Sequence, residues 1–281
     1  IECGIDYTPA RNEFVMSVLD EEGRAHIQLL NAGGSVIQEL TSGDSRDSYP
    51  SFSLQNPSRI YFQSAGVARD ENGYVLMYGP ETIYMLDLEK DEMQEVLTDE
   101  NYDFLLPRED PVGNLYFIRR PYQMPGKTSI GRVILNTLFF PFHFAVAIVG
   151  FLNAFTKLFN QQAFKTDTFS GNTPKQEKYV NVMGKTINLA KKQRDTFSRK
   201  EPSLVPGDWE LVRMSPDRTF EVIARNVAAY DIDAAGTVHY TNGYRVHSML
   251  AKKNTVVFRH RIIEKIKSQA HNMQRPAARD A

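Results

Sequence analysis

Cysteine is almost missing from this chain, because Cys3 is the only one among 281 residues. A single cysteine excludes an internal disulfide and a zinc site built from several thiolates. Net charge is nearly missing too, at -1 with a pI near 6.7, so bulk charge predicts no nucleic-acid partner. The mean hydropathy of -0.40 excludes a protein made mostly of membrane-spanning segments.

Motifs for catalysis and cofactor binding are missing as well. Gly184-Lys185-Thr186 ends like a phosphate-binding loop, but that motif needs a glycine five residues earlier, where Tyr179 stands. His239 and His247 supply two metal ligands, and a zinc site usually needs a third or fourth. Neither a nucleophile elbow nor a calcium loop occurs. The sequence therefore predicts no cofactor, no metal and no enzymatic activity.

The chain does contain short apolar runs separated by turn signals, which predict antiparallel β structure. Two stretches, 35–66 and 92–122, align with each other. Each has a strand ending in Leu-Thr, a polar loop, a strand containing proline, a turn and an aromatic strand. A period of about 40–55 residues with four strands per unit is typical of a β-propeller.

These units resemble the TolB-type, WD40-like β-propeller repeats of bacterial proteins over residues 1–120 and 209–260. One copy matches the repeat pattern at Ile83-Tyr84, Asp87, Leu97-Thr98, Pro107 and Asn114, and another at Leu40-Thr41, Pro50 and Ser53. The resemblance implies an all-β propeller of about four blades, or part of a larger propeller. It also favours the periplasmic side of a bacterial cell envelope over the cytoplasm.

The predicted blades are interrupted once. They comprise residues 1–42, 48–98, 102–120 with 209–225, and 227–262. Leu115–Arg119 and Trp209–Met214 must then pair across a helical insertion, 121–208. We expect four regions: propeller strands over 1–120, the insertion over 121–208, further propeller strands over 209–262, and a basic C-terminal helix and tail over 263–281. The segment 181–192 is predicted to be a short basic helix, and Asp231 and Asp233 to be ordinary rim acids.

The insertion contains an uncharged apolar run, Val133–Thr156, and about 20 such residues suffice to cross a bilayer. A single crossing would place the two paired strands on opposite sides of the membrane. We therefore predict a helical hairpin over 130–159, kinked near Pro141. Its basic flanks and aromatic faces suit an interfacial helix on anionic lipid, the groove of a protein partner, or packing onto its own propeller.

The predicted membrane- or partner-binding residues all belong to this hairpin: Phe139, Phe140, Phe142, Phe144, Val149, Phe151, Phe155, Lys157 and Phe159. We expect a non-catalytic scaffold or docking protein, attached to a membrane surface or a hydrophobic protein partner, either as an oligomer or in a multi-subunit complex. The alternative is the propeller part of a larger enzyme, such as a prolyl-oligopeptidase-like peptidase, whose catalytic domain lies outside this chain.

Overall fold

A computed structural model describes residues 4–123, 179–189, 202–250, 253–260 and 262–268. One turn motif recurs between its strands. An Asp or Asn side chain accepts the backbone N–H groups two and four residues later, as Asp110 does from Val112 and Asn114. A glycine with positive φ stands three residues after the acceptor, as at Gly113. The same arrangement occurs at Asp20, Asn31, Asp70 and Asp233. These turns end one strand and start the next, because the side chain satisfies N–H groups that the sheet cannot.

Most of the strands pair as four antiparallel meanders of four strands each, and one parallel pair, Ala25 opposite Arg46, links the first meander to the second. Meander one contains β1 (Ile5–Thr8), β2 (Glu13–Leu19), β3 (Ala25–Asn31) and β4 (Val36–Glu39). Meander two contains β5 (Ser45–Phe52), β6 (Arg59–Arg69), β8 (Thr82–Asp87) and β9 (Glu92–Leu97), and β7 (Val75–Tyr78) pairs with the far end of β6.

Meander three contains β10 (Tyr102–Glu109), β11 (Leu115–Pro121), β14 (Glu210–Met214) and β15 (Phe220–Arg225). Meander four contains β16 (Ala229–Ile232), β17 (Val238–Thr241), β18 (Arg245–Leu250) and β19 (Lys253–Arg259). The described residues thus form an all-β fold, as the sequence predicts.

The predicted pairing across the insertion is confirmed. Strands β11 and β14 are antiparallel neighbours, from Leu115 opposite Met214 to Arg119 opposite Glu210. An ion pair of 2.6 Å between the Arg119 guanidinium and the Glu210 carboxylate adds a side-chain contact to the backbone bonds. The chain therefore leaves meander three and returns to the same sheet.

Apolar side chains fill the spaces between successive meanders, because inner strands such as β6 and β11 bury residues on both faces. On β6, Ile60 and Phe62 pack towards meander one, whereas Tyr61 packs towards meander three. On β11, Phe117 faces meander two and Ile118 faces meander four. Sheets buried on both sides in this way are what radially arranged blades require. The predicted contribution of Ile60, Phe62, Ile83, Tyr84, Leu86, Leu115 and Phe117 to this packing is confirmed.

Two local predictions are wrong. The segment 181–192 was expected to be helical, but β12 (Tyr179–Val182) and β13 (Lys185–Asn188) form a hairpin. Its two-residue turn, Met183-Gly184, has positive φ at both positions, as a tight hairpin requires. Residues 262–268, expected to begin the basic C-terminal helix, have no regular secondary structure.

The predicted helical hairpin over 130–159 lies outside the described residues. Within the described parts of the chain, no helix is long and apolar enough to span a membrane.

We expect Phe117→Ala to lower the free energy of unfolding by about 3–5 kcal/mol, because it removes a ring that is 1% exposed between two sheets. The matched control is Phe258→Ala on β19, where the ring is 56% exposed and the cost should be below about 1 kcal/mol. Urea unfolding measures both values. Equal losses of unfolding free energy in the two variants would contradict the packing between meanders two and three.

Candidate ligand site at the first strands of the meanders

The first strands of the four meanders surround a cavity of about 690 Å³. Strands β1, β5, β10 and β16 contribute most of its wall, β2 contributes two residues, and Met183 and residues 265–267 complete it. The cavity therefore contacts residues of all four meanders.

Backbone bulges shape this wall. Strands β5 and β10 each shift register next to a proline, at Tyr49-Pro50 and at Leu106-Pro107. Tyr49 and Leu106 have φ values of 52° and 55°, which are uncommon for residues with a side chain. A bulge bends its strand and breaks the ladder locally. The freed carbonyls find other donors: the Tyr230 hydroxyl donates to the Leu106 carbonyl, and the Ser51 hydroxyl donates to the Pro107 carbonyl.

Gly4 stands beside the first of these bulges, with a φ of 106°. A Cβ at this position would lie 2.6 Å from the Tyr49 Cα, which is too close for any side chain. Glycine therefore lets the chain just before β1 approach the backbone of β5.

Arg108, which lines the cavity, forms ion pairs with two aspartates beside it. The Arg108 guanidinium on β10 lies 3.1 Å from an Asp6 oxygen and 3.2 Å from an Asp231 oxygen. Asp6 belongs to β1 and Asp231 to β16, so the three charges join three different sheets. The backbone N–H of Phe52, on β5, donates to the same Asp6 oxygen at 3.1 Å, so meander two also contacts the cluster.

These contacts fix the protonation of the cluster. Burial would raise the pKa of Asp6, but Arg108 and Lys267 outweigh it and hold that pKa below its ordinary value of 3.8. Burial would lower the pKa of Arg108, and the two aspartates reverse that effect and raise it. Burial also raises the pKa of Tyr230 far above its ordinary value, so its phenol remains a neutral donor.

The chain beyond β19 returns to this cluster. The Lys267 ammonium lies 2.8 Å from the second Asp6 oxygen. The backbone N–H and the hydroxyl of Ser268 donate to one Asp231 oxygen, at 2.6 Å and 2.9 Å. Residues 262–268 therefore connect β1 of meander one to β16 of meander four.

The hairpin β12–β13 is held against the same region by Arg120. This side chain donates to Asp103 at 2.8 Å and to the Met183 carbonyl at 2.7 Å, and its guanidinium lies 4.7 Å from the centre of the buried Trp209 ring. Because Met183 also lines the cavity, the chain that returns to meander three contributes to the wall.

The site predicted from sequence is not this one. All nine predicted membrane- or partner-binding residues, from Phe139 to Phe159, lie outside the described residues. The interpretation of Asp231 as a rim acid is wrong, because it is 3% exposed and ion-paired, whereas Asp233 does serve as a turn acceptor. The sequence patterns do not identify Asp6 or Arg108 as site residues. The signal that could have found them is a charged residue within the apolar first strand of a repeat.

The two histidines considered as metal ligands are engaged separately. His239 lies 3.5 Å from Asp233, and the His247 ring stacks on Tyr240 at 4.8 Å. Where the structure describes the chain, no group of three or more acidic, histidine or cysteine side chains is placed to hold a metal ion. The arrangement at Asp6, Arg108 and Asp231 can bind cations and hydrogen-bond donors.

No protein-family model matches this chain, and no curated protein matches it either. Solved structures do. The tricorn protease is 12% identical, with 91% of this chain and 26% of that chain covered, at a TM-score of 0.42. TolB from Acinetobacter baumannii is 13% identical, with 93% and 55% covered, at a TM-score of 0.35. Hydrazine synthase from Kuenenia stuttgartiensis is 16% identical, with 40% and 35% covered, at a TM-score of 0.31.

This chain thus spans less than two thirds of each of these structures. TolB, whose repeats the sequence resembles, is among the structures that match. All three TM-scores are below 0.5, so the description of the fold rests on the strand pairing of the chain itself.

We expect Asp6→Asn to lower the free energy of unfolding at pH 7 by roughly 1.5–3 kcal/mol, because Arg108 and Lys267 lose a charged acceptor. The pKa of Asp6 is lowered in the folded state, so the ionised group stabilises the fold above pH 3.8, and this stabilisation is lost as the pH falls through the lowered value. The deficit of the variant should therefore shrink in acid.

Urea titrations between pH 7 and pH 3 measure this deficit. Asp91→Asn is the matched control, because Asp91 has a φ of 54°, which asparagine also tolerates, and it forms no ion pair with any residue that the structure describes. A deficit that stayed constant with pH, or that appeared equally in the control, would contradict the assignment to the Asp6 charge.

Proposed function

We propose that the chain is a non-catalytic β-propeller domain with the four meanders as its blades, and that the segment between β11 and β14 attaches it to a membrane. The membrane is the anionic surface of a bacterial cell envelope, on the periplasmic side. The domain then acts as a scaffold that holds other proteins at that surface, within an oligomer or a multi-subunit complex.

The pairing of β11 with β14 carries this proposal. Because Arg119 lies opposite Glu210, both ends of the intervening segment start from the same end of one sheet. The apolar run Val133–Thr156 within that segment can therefore enter a membrane only if the chain comes back out on the same side. This geometry supports attachment by a hairpin or by a segment lying in the interface.

The apolar and basic residues of the segment favour binding to an anionic membrane. Each phenylalanine that becomes fully buried contributes roughly 1.5–3 kcal/mol, and the segment has seven of them between positions 139 and 159. Exposed together to water, they would form a larger apolar patch than a monomer usually carries. Basic residues flank the run, which favours anionic over neutral lipid: Lys127, Arg132, Lys157 and Lys165.

The scaffold role is supported by the state of the cavity. Its charged groups are engaged with one another, since Arg108 contacts both Asp6 and Asp231. Such mutual neutralisation suits a structural or binding role, because a general acid or base needs a free position towards its substrate.

Co-sedimentation with liposomes tests the attachment. We expect the intact chain to sediment with vesicles of anionic lipid and not with neutral vesicles, and high salt to weaken the binding. A variant with residues 124–177 replaced by a short Gly-Ser linker should remain soluble. This replacement keeps the hairpin β12–β13, which packs against Trp209 through Val182 and Ile187.

Charge variants separate electrostatics from fold. Neutralising Lys127, Arg132, Lys157 and Lys165 to glutamine should reduce binding. Neutralising four basic residues of the meanders and their turns should not: Lys90, Arg218, Lys253 and Arg259. Binding of the linker variant equal to that of the intact chain would contradict the proposal. An intact chain that is monomeric and unbound at low salt would also contradict it. An intact chain that oligomerises without lipid, while the linker variant does not, would show that the segment contacts protein instead.

A further inference from the structure

We propose that the cavity between the first strands is a binding site for an extended cationic peptide, and that residues 262–268 are its resident ligand within the chain. This segment, which we call the strap, would yield its place to a peptide of similar chemistry from a partner. The site is separate from the membrane segment and does not depend on it.

The charges of the ion-paired cluster around Arg108 indicate the class of ligand. Two carboxylates, Asp6 and Asp231, face one guanidinium, Arg108, which leaves one negative charge in excess. The ammonium of Lys267 balances that charge, at 2.8 Å from Asp6. Since Asp6 is largely buried, removal of the strap would leave its second oxygen without this cation. A ligand with a primary ammonium replaces what is lost, and an anionic ligand does not.

The hydrogen bonds at Asp231 indicate a peptide. Its second oxygen accepts the backbone N–H of Ser268 at 2.6 Å, a donor that every peptide except one with proline there supplies. The Lys267 ammonium and the next backbone N–H thus reach two carboxylates on different sheets. A cavity of about 690 Å³ with apolar walls at Tyr49 and Leu106 has room for further side chains of an extended chain.

The contacts that hold the strap permit its replacement by another peptide. It belongs to no sheet. The Ile263 N–H donates to the Gly243 carbonyl at 2.8 Å, and the Ile262 carbonyl lies 3.2 Å from the His260 Nδ1; neither contact involves a residue that lines the cavity. The Lys267 side chain is 58% exposed, so its ion pair with Asp6 lies at the rim. Among the described residues, no buried apolar cluster joins meander four to meander one, in contrast to the other neighbouring pairs. The strap can therefore leave without opening a packed core.

A labelled peptide tests the site. The probe is Ile-Ile-Glu-Lys-Ile-Lys-Ser, the sequence of residues 262–268, acetylated and amidated to remove its terminal charges. In the full chain the strap competes at an effective concentration on the order of millimolar. The full-length variant Lys267→Glu with Ser268→Pro removes the ammonium and the N–H donor of the strap. We expect this variant to bind the probe at least about tenfold more tightly than the unaltered chain does.

Two controls make the result specific. Adding Asp6→Asn to the strap variant should reverse the gain by about tenfold or more, whereas adding Asp91→Asn should leave it unchanged. A probe with glutamate in place of its second lysine should not bind. Equal affinity of the unaltered chain and the strap variant would overturn the proposal, and so would binding that is insensitive to Asp6.

A second measurement needs no strap mutation and guards against misfolding. Hydrogen exchange at the amides of 262–268 should speed up in Asp6→Asn, because the strap loses the ion pair between Lys267 and Asp6, while exchange in β6 and β11 stays slow. Glu71→Gln, an exposed turn residue, is the control. Unchanged exchange of the strap in Asp6→Asn would contradict its retention by the cavity. Liposome binding by the same variants should be unaffected, so failure here is distinguishable from failure of the membrane proposal.

Discussion

The antiparallel pairing of β11 with β14 is the interaction on which the rest of the molecule depends. These strands stand side by side although 90 residues separate Arg119 from Glu210, so their contact requires closure of a very long loop. The entropy of closure rises by only about 0.6 kcal/mol for each doubling of loop length. A loop of this size therefore costs roughly 3 kcal/mol more than a tight hairpin. Burial of Leu211 and Val212, both 0% exposed, contributes a stabilisation of about the same size as this entropic cost.

The same pairing sets the packing on both sides of meander three. Val212 packs with Phe117 towards meander two, and Leu211 packs with Ile118 towards meander four. Without β14, both clusters would lose half of the sheet that separates them. A long excursion at this position is tolerated because the returning chain is held at several points. Trp209 is buried, Arg120 covers its ring, and the turn of the hairpin β12–β13 reaches the cavity wall at Met183.

Much of this architecture could be predicted from the sequence, because the turns have a recognisable residue pattern. An Asp or Asn followed three residues later by glycine, as in Asp110-Pro111-Val112-Gly113, marks a strand boundary that needs no tertiary context. The repeat alignment then orders the strands. The hairpin β12–β13 was missed because its turn, Met183-Gly184, has a positive φ at methionine, a residue that gives no turn signal. The strap was predicted to be helical from the spacing of Ile262 and Ile266, and contacts distant in sequence override that local preference.

The candidate site was harder to predict, because its parts are single residues on separate repeats. Asp6, Arg108 and Asp231 are each unremarkable in their own strand, and only the arrangement of the meanders brings both aspartates within 3.2 Å of Arg108. Their net charge follows from the same arrangement. Three of the four meanders each bring one charged side chain to the cluster, and three single charges cannot sum to zero. A fourth charge must come from elsewhere, and the chain supplies it from Lys267 beyond its last strand. The buried cluster thus takes its fourth charge from a loosely held segment. Another peptide with an ammonium group can therefore occupy the place of that segment.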